Sequence, residues 1–389
     1  MKKILLVFVL TFSFFYSVSQ QSIQQQIDSM LIVAEKVDDS TRLAILNRVG
    51  FHYVFNDLPK AQYYINKGLK EAQQKNIVYW EAAMNSTYGI YMDISGVSDS
   101  AKYYFEKSLD IATKNNIKTV EANVTNNLGM YHWNKKEYED ALKYFFSSLE
   151  KDRKNGIRKE LTSSLSNIGL IYQEMGLYEK ALKYHEDALT IRREEGLKNE
   201  IPISLNNIAE ILKAKNNFKD ALLYVEESLI VSEKQKVTRE YLTALNIKGD
   251  ILKQKNNHKE AILTFEEAIE KRNQLNIDRK ANLDNIESLL EIYLENKDLK
   301  NASTYIKAGE KLIDEFPELE NASFNFYKLA ATTNYKSGNA EEGAAFFEKA
   351  FAAKDSIFSS KNAESIATLE TKFKLSEKEN KILQQRAQI

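Results

Sequence analysis

Cysteine is absent from the chain, which excludes a disulfide framework, a thiol nucleophile and lipid attachment through a cysteine, and leaves the redox compartment unread. Only three prolines and thirteen glycines punctuate 389 residues, so a loop-rich fold is a poor fit and a long helical array is a good one. Neither sign of charge predominates: 54 lysines and arginines face 55 acids, and the basic footprint of a nucleic-acid binder is missing. After the first twenty or so residues, no apolar run is long enough to cross a bilayer.

The N-terminus, MKKILLVFVLTFSFFYSVSQ, sets Lys2 and Lys3 before an apolar run from Ile4 to about Tyr16, followed by small residues at Ser17 and Ser19. This is the layout of a secretory signal over residues 1–19, with a short N-terminal anchor as the alternative. Export is therefore expected, with a periplasmic location, and loss of the two lysines leaves the mature chain slightly acidic.

What the chain has in abundance is itself, repeated. The stretches NNLGMYHWNKKEYEDA (126–141), SNIGLIYQEMGLYEKA (166–181), NNIAEILKAKNNFKDA (206–221) and NIKGDILKQKNNHKEA (246–261) share one template. A small residue recurs at Gly89, Gly129, Gly169, Ala209 and Gly249, and twelve residues later stand Ala101, Ala141, Ala181, Ala221 and Ala261, in steps of forty. Val49 and Ala61 extend the series backward; Leu290 with Ala302 and Ala331 with Gly343 extend it forward at a step of forty-one. Fixed-period self-similarity is the signature of a solenoid. Apolar residues such as Ala141, Leu142, Phe145 and Leu149 recur at helical spacing, so each of eight units is expected to be a pair of amphipathic helices. The junctions Asn76-Ile77, Asn116-Ile117, Gly156-Ile157, Gly196-Leu197, Lys236-Val237 and Asn276-Ile277 have the form of a left-handed helix stop followed by an apolar residue. Lys236 is the odd member, and a strained or looser junction is expected there. Pro59, Pro202 and Pro317 fall at helix starts or in junctions.

The small residue of the first helix, Tyr172 three positions beyond it, the turn GLYEKA (176–181) and Phe105, Phe145 and Phe265 four after the alanine resemble the tetratricopeptide repeat family. The resemblance covers about residues 41 to 354. The forty-residue step is longer than the common thirty-four and is similar to the long-helix variety of kinesin light chains and bacterial signalling proteins. It implies an all-α helical-repeat superhelix, or α-solenoid, of about eight hairpins. The expected organisation is a signal at 1–19, a capping helix at 20–40, the array at 41–354 and a C-terminal helix at 355–389.

All four histidines fall on repeat positions. His52 and His132 take the slot of Tyr172, His185 that of Phe145 and Phe265, and His258 that of Tyr138 and Phe218, so they are expected to pack as aromatics. No second ligand stands at a close helical spacing from any of them, so neither metal nor cofactor is expected. Phosphate loops and activated-serine motifs are missing as well, and no enzyme is expected within these residues. Asn85, Asn123, Asn301 and Asn321 each begin a glycosylation-type triplet; the first three fall within expected helices and are read as chance matches.

A polar row remains. Asn47, Asn127, Asn167 and Asn207 precede the small residue by two, Thr87 fills the same slot, and Asn246 stands one position earlier in its unit. By the resemblance, first helices line a concave face and such asparagines hold an extended peptide or protein segment, since an amide both donates and accepts. The other reading is that each bonds the neighbouring helix. Trp133, one place past the aromatic slot, is a further groove candidate beside a packing role.

From Lys354 onward the small-residue pair disappears. Ile366, Leu369, Phe373, Asn380 and Leu383 trace alternating steps of three and four, a short heptad seam with Asn380 able to fix the register of a homodimer; an ordinary terminal helix is the alternative. This tail resembles the segment that, in bacterial sensors, leads to a membrane span and then a histidine kinase or a helix-turn-helix regulator. The expectation is a non-catalytic, exported interaction array, the periplasmic sensing part of such a protein, touching a membrane only through a downstream span. A freestanding periplasmic scaffold that assembles other proteins is the alternative.

Overall fold

The repeat template folds as paired helices because each copy puts its apolar residues on one helical stripe that only a neighbouring helix can cover. A computed structural model describes residues 25 and 27–356 except 56 and 157. The expected leader at 1–19 and the expected heptad positions Ile366, Leu369, Phe373, Asn380 and Leu383 lie outside the described residues, and the described residues contain no strand.

Two units divide after Leu197. In the first, residues 27–34 are helical, and four hairpins follow: α1 (Asp39–Val54) with α2 (Leu58–Gln74), α3 (Val78–Ile94) with α4 (Ser98–Lys114), α5 (Lys118–Asn134) with α6 (Tyr138–Asn155), and α7 (Leu161–Glu174) with α8 (Tyr178–Glu194). The second unit holds α9 (Ile201–Ala214) with α10 (Phe218–Gln235), α11 (Thr238–Gln254) with α12 (His258–Leu275), α13 (Arg279–Glu295) with α14 (Leu299–Glu315), and α15 (Phe324–Lys336), followed by helical residues 340–356. The second helices start at Leu58, Ser98, Tyr138, Tyr178, Phe218 and His258, forty apart, and Leu299 follows at forty-one. No helix among the described residues is long and apolar enough to cross a membrane. Within the first unit, Ile27 joins Val49, Tyr53, Ile65, Tyr88 and Tyr91 in one apolar cluster, so the helix at 27–34 covers the exposed end of the first hairpin's core.

Several hairpin cores are built as a socket and a plug. A Cβ added to Gly89 would stand 2.6 Å from the Phe105 ring, one on Gly129 2.6 Å from Phe145, and one on Gly249 2.5 Å from Phe265. The glycine is there because a ring occupies the volume a methyl would need. Where the repeat has Ala209 in place of glycine, the plug shrinks to Val225, and both are fully buried. In the first hairpin the socket facing Ile65 is Gly50, not the expected Val49, which is buried in the same apolar cluster as Ile65.

The junction stops have the expected geometry. Asn76 and Asn116 have φ of 54°, Gly156 71°, Gly196 68° and Asn276 53°. Behind them the Ile77 N–H donates to the Ala72 carbonyl at 2.9 Å and Ile117 to Ala112 at 2.8 Å, closing the last turn. Lys236 corrects the expectation of a looser junction. It adopts φ 57°, and Val237 still donates to the Ser232 carbonyl at 2.9 Å; whatever the lysine costs lies in its backbone conformation, with the hydrogen bonds intact. The same stop also ends the first helices after α1, at Gly96, Lys136, Gly176, Asn216, Asn256, Lys297 and Gly338, all with positive φ.

Candidate functional site

The asparagine row stands on the first helices of the hairpins, and in the first unit its side chains bridge consecutive first helices. The Thr87 hydroxyl on α3 donates to Asn47 Oδ1 on α1 at 2.7 Å, Asn127 Nδ2 on α5 donates to the Ser86 hydroxyl on α3 at 2.9 Å, and Asn167 Nδ2 on α7 donates to Asn126 Oδ1 on α5 at 3.0 Å. The reading that these amides bond the neighbouring helix thus describes the first unit. In the second unit, Asn207 is half-buried on α9, and Asn246 is half-buried on α11 with its amide oxygen lacking a hydrogen-bond partner. Trp133 packs, partly buried, on the cluster of Phe145, Leu165, Ile168 and Tyr172, which is a core role.

The rungs border a cavity of about 420 Å³ within the first unit. Asn47 and Phe51 of α1 and Tyr79, Trp80, Ser86 and Thr87 of α3 line one part; Asn123, Asn126 and Asn127 come from α5, and Ser148, Asp152, Glu160, Ser163 and Ser164 from α6, the turn after it and α7. Phe51 and Tyr79 are exposed, and the Trp80 indole N–H donates to the Ser40 hydroxyl at 2.9 Å, fixing that ring. Asn123 is exposed on α5. The wall therefore combines aromatic faces, amides that both donate and accept, hydroxyls and two acids, a composition suited to a polar extended chain with an apolar side chain.

The acids are the electrostatic feature of the cavity. Asp152 is 7% exposed. Burial first, then the nearby Glu160 charge, pushes its carboxyl up to about 6, against the Ser148 hydroxyl, which favours the ionised form. The single Ser148 proton is shared between Asp152 and the Ala122 carbonyl, 3.1 Å away, while Ser164 donates to Ser148 at 3.2 Å. Glu160 is exposed, with the Lys159 ammonium 4.0 Å away.

His185 and His132 behave as packing residues with two qualifications, whereas the His258 Nδ1 lies 2.8 Å from Asn296 Oδ1. His185 is fully buried against Gly169, and burial, with the Arg192 charge adding to it, pushes its imidazole down to about 4. His132 stacks on Tyr144 with ring centroids 5.1 Å apart, and its Nδ1 lies 2.7 Å from Glu137 Oε2. His132, Glu137 and Asp140 offer ligand atoms within 4.8 Å of one another, so these three could together hold a cation. Sequence spacing hid this grouping, because it forms across the hairpin turn and not along one helix. Asp140 is also bound to Lys143 at 2.8 Å. Asn85, first of the glycosylation-type triplets, is fully buried and donates to the Glu81 carbonyl at 2.7 Å.

Asp152, Glu160 and Trp80 escaped the sequence reading, which met Asn123 only as the start of a glycosylation-type triplet. A signal existed: at steps of forty, the slot of Asp152 holds Ala72, Ala112, Arg192, Ser232 and Arg272. The two copies preceding Asp152 carry alanine, and the acid departs from them at the cavity.

A family described as tetratricopeptide repeat matches residues 120–194 and 160–234, and a second of the same description matches 242–272. These segments are tetratricopeptide repeats. No curated protein matches the chain. Solved structures with similar folds include a signal transduction ATPase with numerous domains and a tetratricopeptide repeat sensor from Pyrococcus horikoshii, 12% identical, with TM-score 0.66 over 87% of this chain and 51% of that one. Another is the apo quorum sensor NprR from B. thuringiensis, 16% identical, TM-score 0.54, covering 87% and 95%. A third is a Rap protein complexed with competence and sporulation factor, 14% identical, TM-score 0.52, covering 82% and 99%. At these identities the likeness is one of fold.

Proposed function

We propose that the chain is a non-catalytic tetratricopeptide array that binds an extended peptide or protein segment, and that it serves as the exported sensing region of a signal-transduction protein of the histidine kinase or transcription regulator type. The observation that carries the binding part is the cavity of the first unit, where Asn123, Asn126 and Asn127 stand beside exposed Phe51 and Tyr79. Rungs between α1, α3, α5 and α7 hold these groups in place before any ligand arrives, which lowers the ordering cost of binding. The fold is shared with a quorum sensor, with a protein solved in complex with competence and sporulation factor and with a tetratricopeptide repeat sensor, which supports a sensing role. The leader-like N-terminus supports export, and the heptad positions Ile366, Leu369, Phe373, Asn380 and Leu383 support self-association through residues 355–389 as the route by which a bound state is passed on.

Incubating the full chain with pooled short peptides and sequencing those retained tests the binding reading. Asn123→Ala is expected to reduce retention with the thermal midpoint unchanged. Retention of no peptide above background by the wild-type chain overturns it. Fusing the first residues to a reporter active only after export tests location, and sedimentation with and without residues 355–389 tests the self-association.

A further inference from the structure

A carboxylate buried without a cation is costly unless something outside the fold neutralises it. Two largely buried cations elsewhere are matched: Lys213 reaches Glu210 at 2.8 Å and Asp250 at 3.0 Å, and Arg272 lies 3.5 Å from Asp278. Asp152 is different. It is more than nine-tenths buried and lines the cavity, and among the described residues no cationic side chain pairs with it. Packing does not require it either, since Ala72 and Ala112 fill the same slot in the preceding hairpins at full burial. Glu160 adds a second carboxylate to the same cavity, and Lys159, its nearest cation, is exposed and lies at the 4.0 Å limit of an ion pair.

We propose that Asp152 and Glu160 form a subsite for one cationic group of the bound peptide, a lysine or arginine side chain or a free α-amino terminus, seated where the amide-lined cavity meets α6 and α7. The inference rests on the peptide-binding reading above and deepens it. Two carboxylates and the hydroxyls of Ser148, Ser163 and Ser164 supply acceptors for the several N–H donors of an ammonium or guanidinium. Charge-assisted bonds of this kind are among the stronger single contacts available to a peptide. The site is thus stabilised by its ligand, and repulsion between the two acids in its absence is part of how it selects a cation.

Four pools of short peptides, randomised at the other positions with uncharged residues, test this on the full chain. Three are blocked at both ends and carry a central arginine, lysine or norleucine; the fourth has a free amino terminus and no basic side chain. The wild-type chain is expected to retain a cationic pool about tenfold more than the norleucine pool, the size of one charge-assisted bond. Asp152→Asn is expected to abolish the preference and Glu160→Gln to weaken it, while the norleucine pool is retained as before. Preference for the arginine and lysine pools assigns a side chain, and preference for the free-terminus pool assigns the α-amino group. Asp152→Ala, which restores the alanine of the preceding hairpins, is expected to melt at or above the wild-type temperature at neutral pH. Retention without any preference for a cation, or a marked loss of thermal stability in Asp152→Ala, overturns the subsite while leaving peptide binding in place. If no pool is retained, peptide binding fails and the subsite with it.

Discussion

Gly169 and His185 meet so closely that a Cβ on the glycine would lie 2.7 Å from the imidazole Cε1 and Nε2. The ring occupies the plug position that Phe105, Phe145 and Phe265 hold in other hairpins, in surroundings built for a neutral aromatic. Its pKa of about 4 against an ordinary 6.5 follows from that burial and from the Arg192 charge. The unfolded chain takes up a proton below about 6.5, and the folded chain does so only near 4, so this residue's contribution to stability is complete above 6.5 and is lost as pH falls toward 4. His185→Phe is expected to flatten the fall in unfolding free energy across that window. Denaturant titrations of both proteins through the same pH series check it, and parallel curves would contradict it.

Lys236 holds a left-handed conformation, φ 57°, that a side chain disfavours by about 1–2 kcal/mol. Gly156 and Gly196 serve the same junction at 71° and 68°. Lys236→Gly is expected to raise stability by about 1 kcal/mol, the relief being partly offset by glycine's freedom in the unfolded chain. Equilibrium unfolding measures it.

In the Gly129–Phe145 pair, a methyl on the glycine would stand 2.6 Å from the ring. Gly129→Ala is expected to cost about 1–3 kcal/mol by overpacking. The same change made in a Phe145→Val background, which reproduces the pairing of Ala209 with Val225, is expected to cost much less. A double-mutant cycle reports the difference as a coupling energy, and additive effects would show that socket and plug do not sense each other.

Asn167 and Asn123 separate the two uses of asparagine on this face. Asn167→Ala removes the 3.0 Å bond to Asn126 that ties α7 to α5 and is expected to cost about 0.5–1.5 kcal/mol. Asn123→Ala changes an exposed side chain and is expected to stay within about 0.5 kcal/mol of the wild type. Thermal melts of the two variants decide it.

The sequence made the array legible because its message there is periodic: a small residue and an alanine twelve positions on, as in Gly129 and Ala141, recur every forty, while the fit of Gly129 to the Phe145 ring shows only in the packing. The stops at Asn76 and Asn116 were legible for the same reason, since an asparagine followed by isoleucine at a helix end has few other uses. Lys136 and Lys297 were not, because a lysine carries no conformational signature and only its turn partners force φ to 60° and 59°. The asparagine row could be placed on the first helices, but whether Asn127 faces a ligand or Ser86 depends on a 2.9 Å distance that spacing does not contain. Asp152 was hidden by the periodicity itself. Similarity between copies draws attention to what recurs, and this acid stands where the two preceding copies hold alanine.

The repeated stops also bear on how such a chain changes over time. Asn76 and Asn116 share φ 54°, each precedes an isoleucine, and each isoleucine returns to an alanine carbonyl four residues before its asparagine, Ala72 or Ala112. Excising residues 77–116 would bring Asn76 against Ile117, and duplicating them would bring Asn116 against Ile77; either way the new joint has the conformation of the old. Recombination between copies can therefore lengthen or shorten the array by whole links while the backbone of the joint keeps its conformation. If the face binds as proposed, a lineage could alter how much ligand it accommodates by changing copy number, while point substitutions such as alanine to aspartate would adjust what each link recognises.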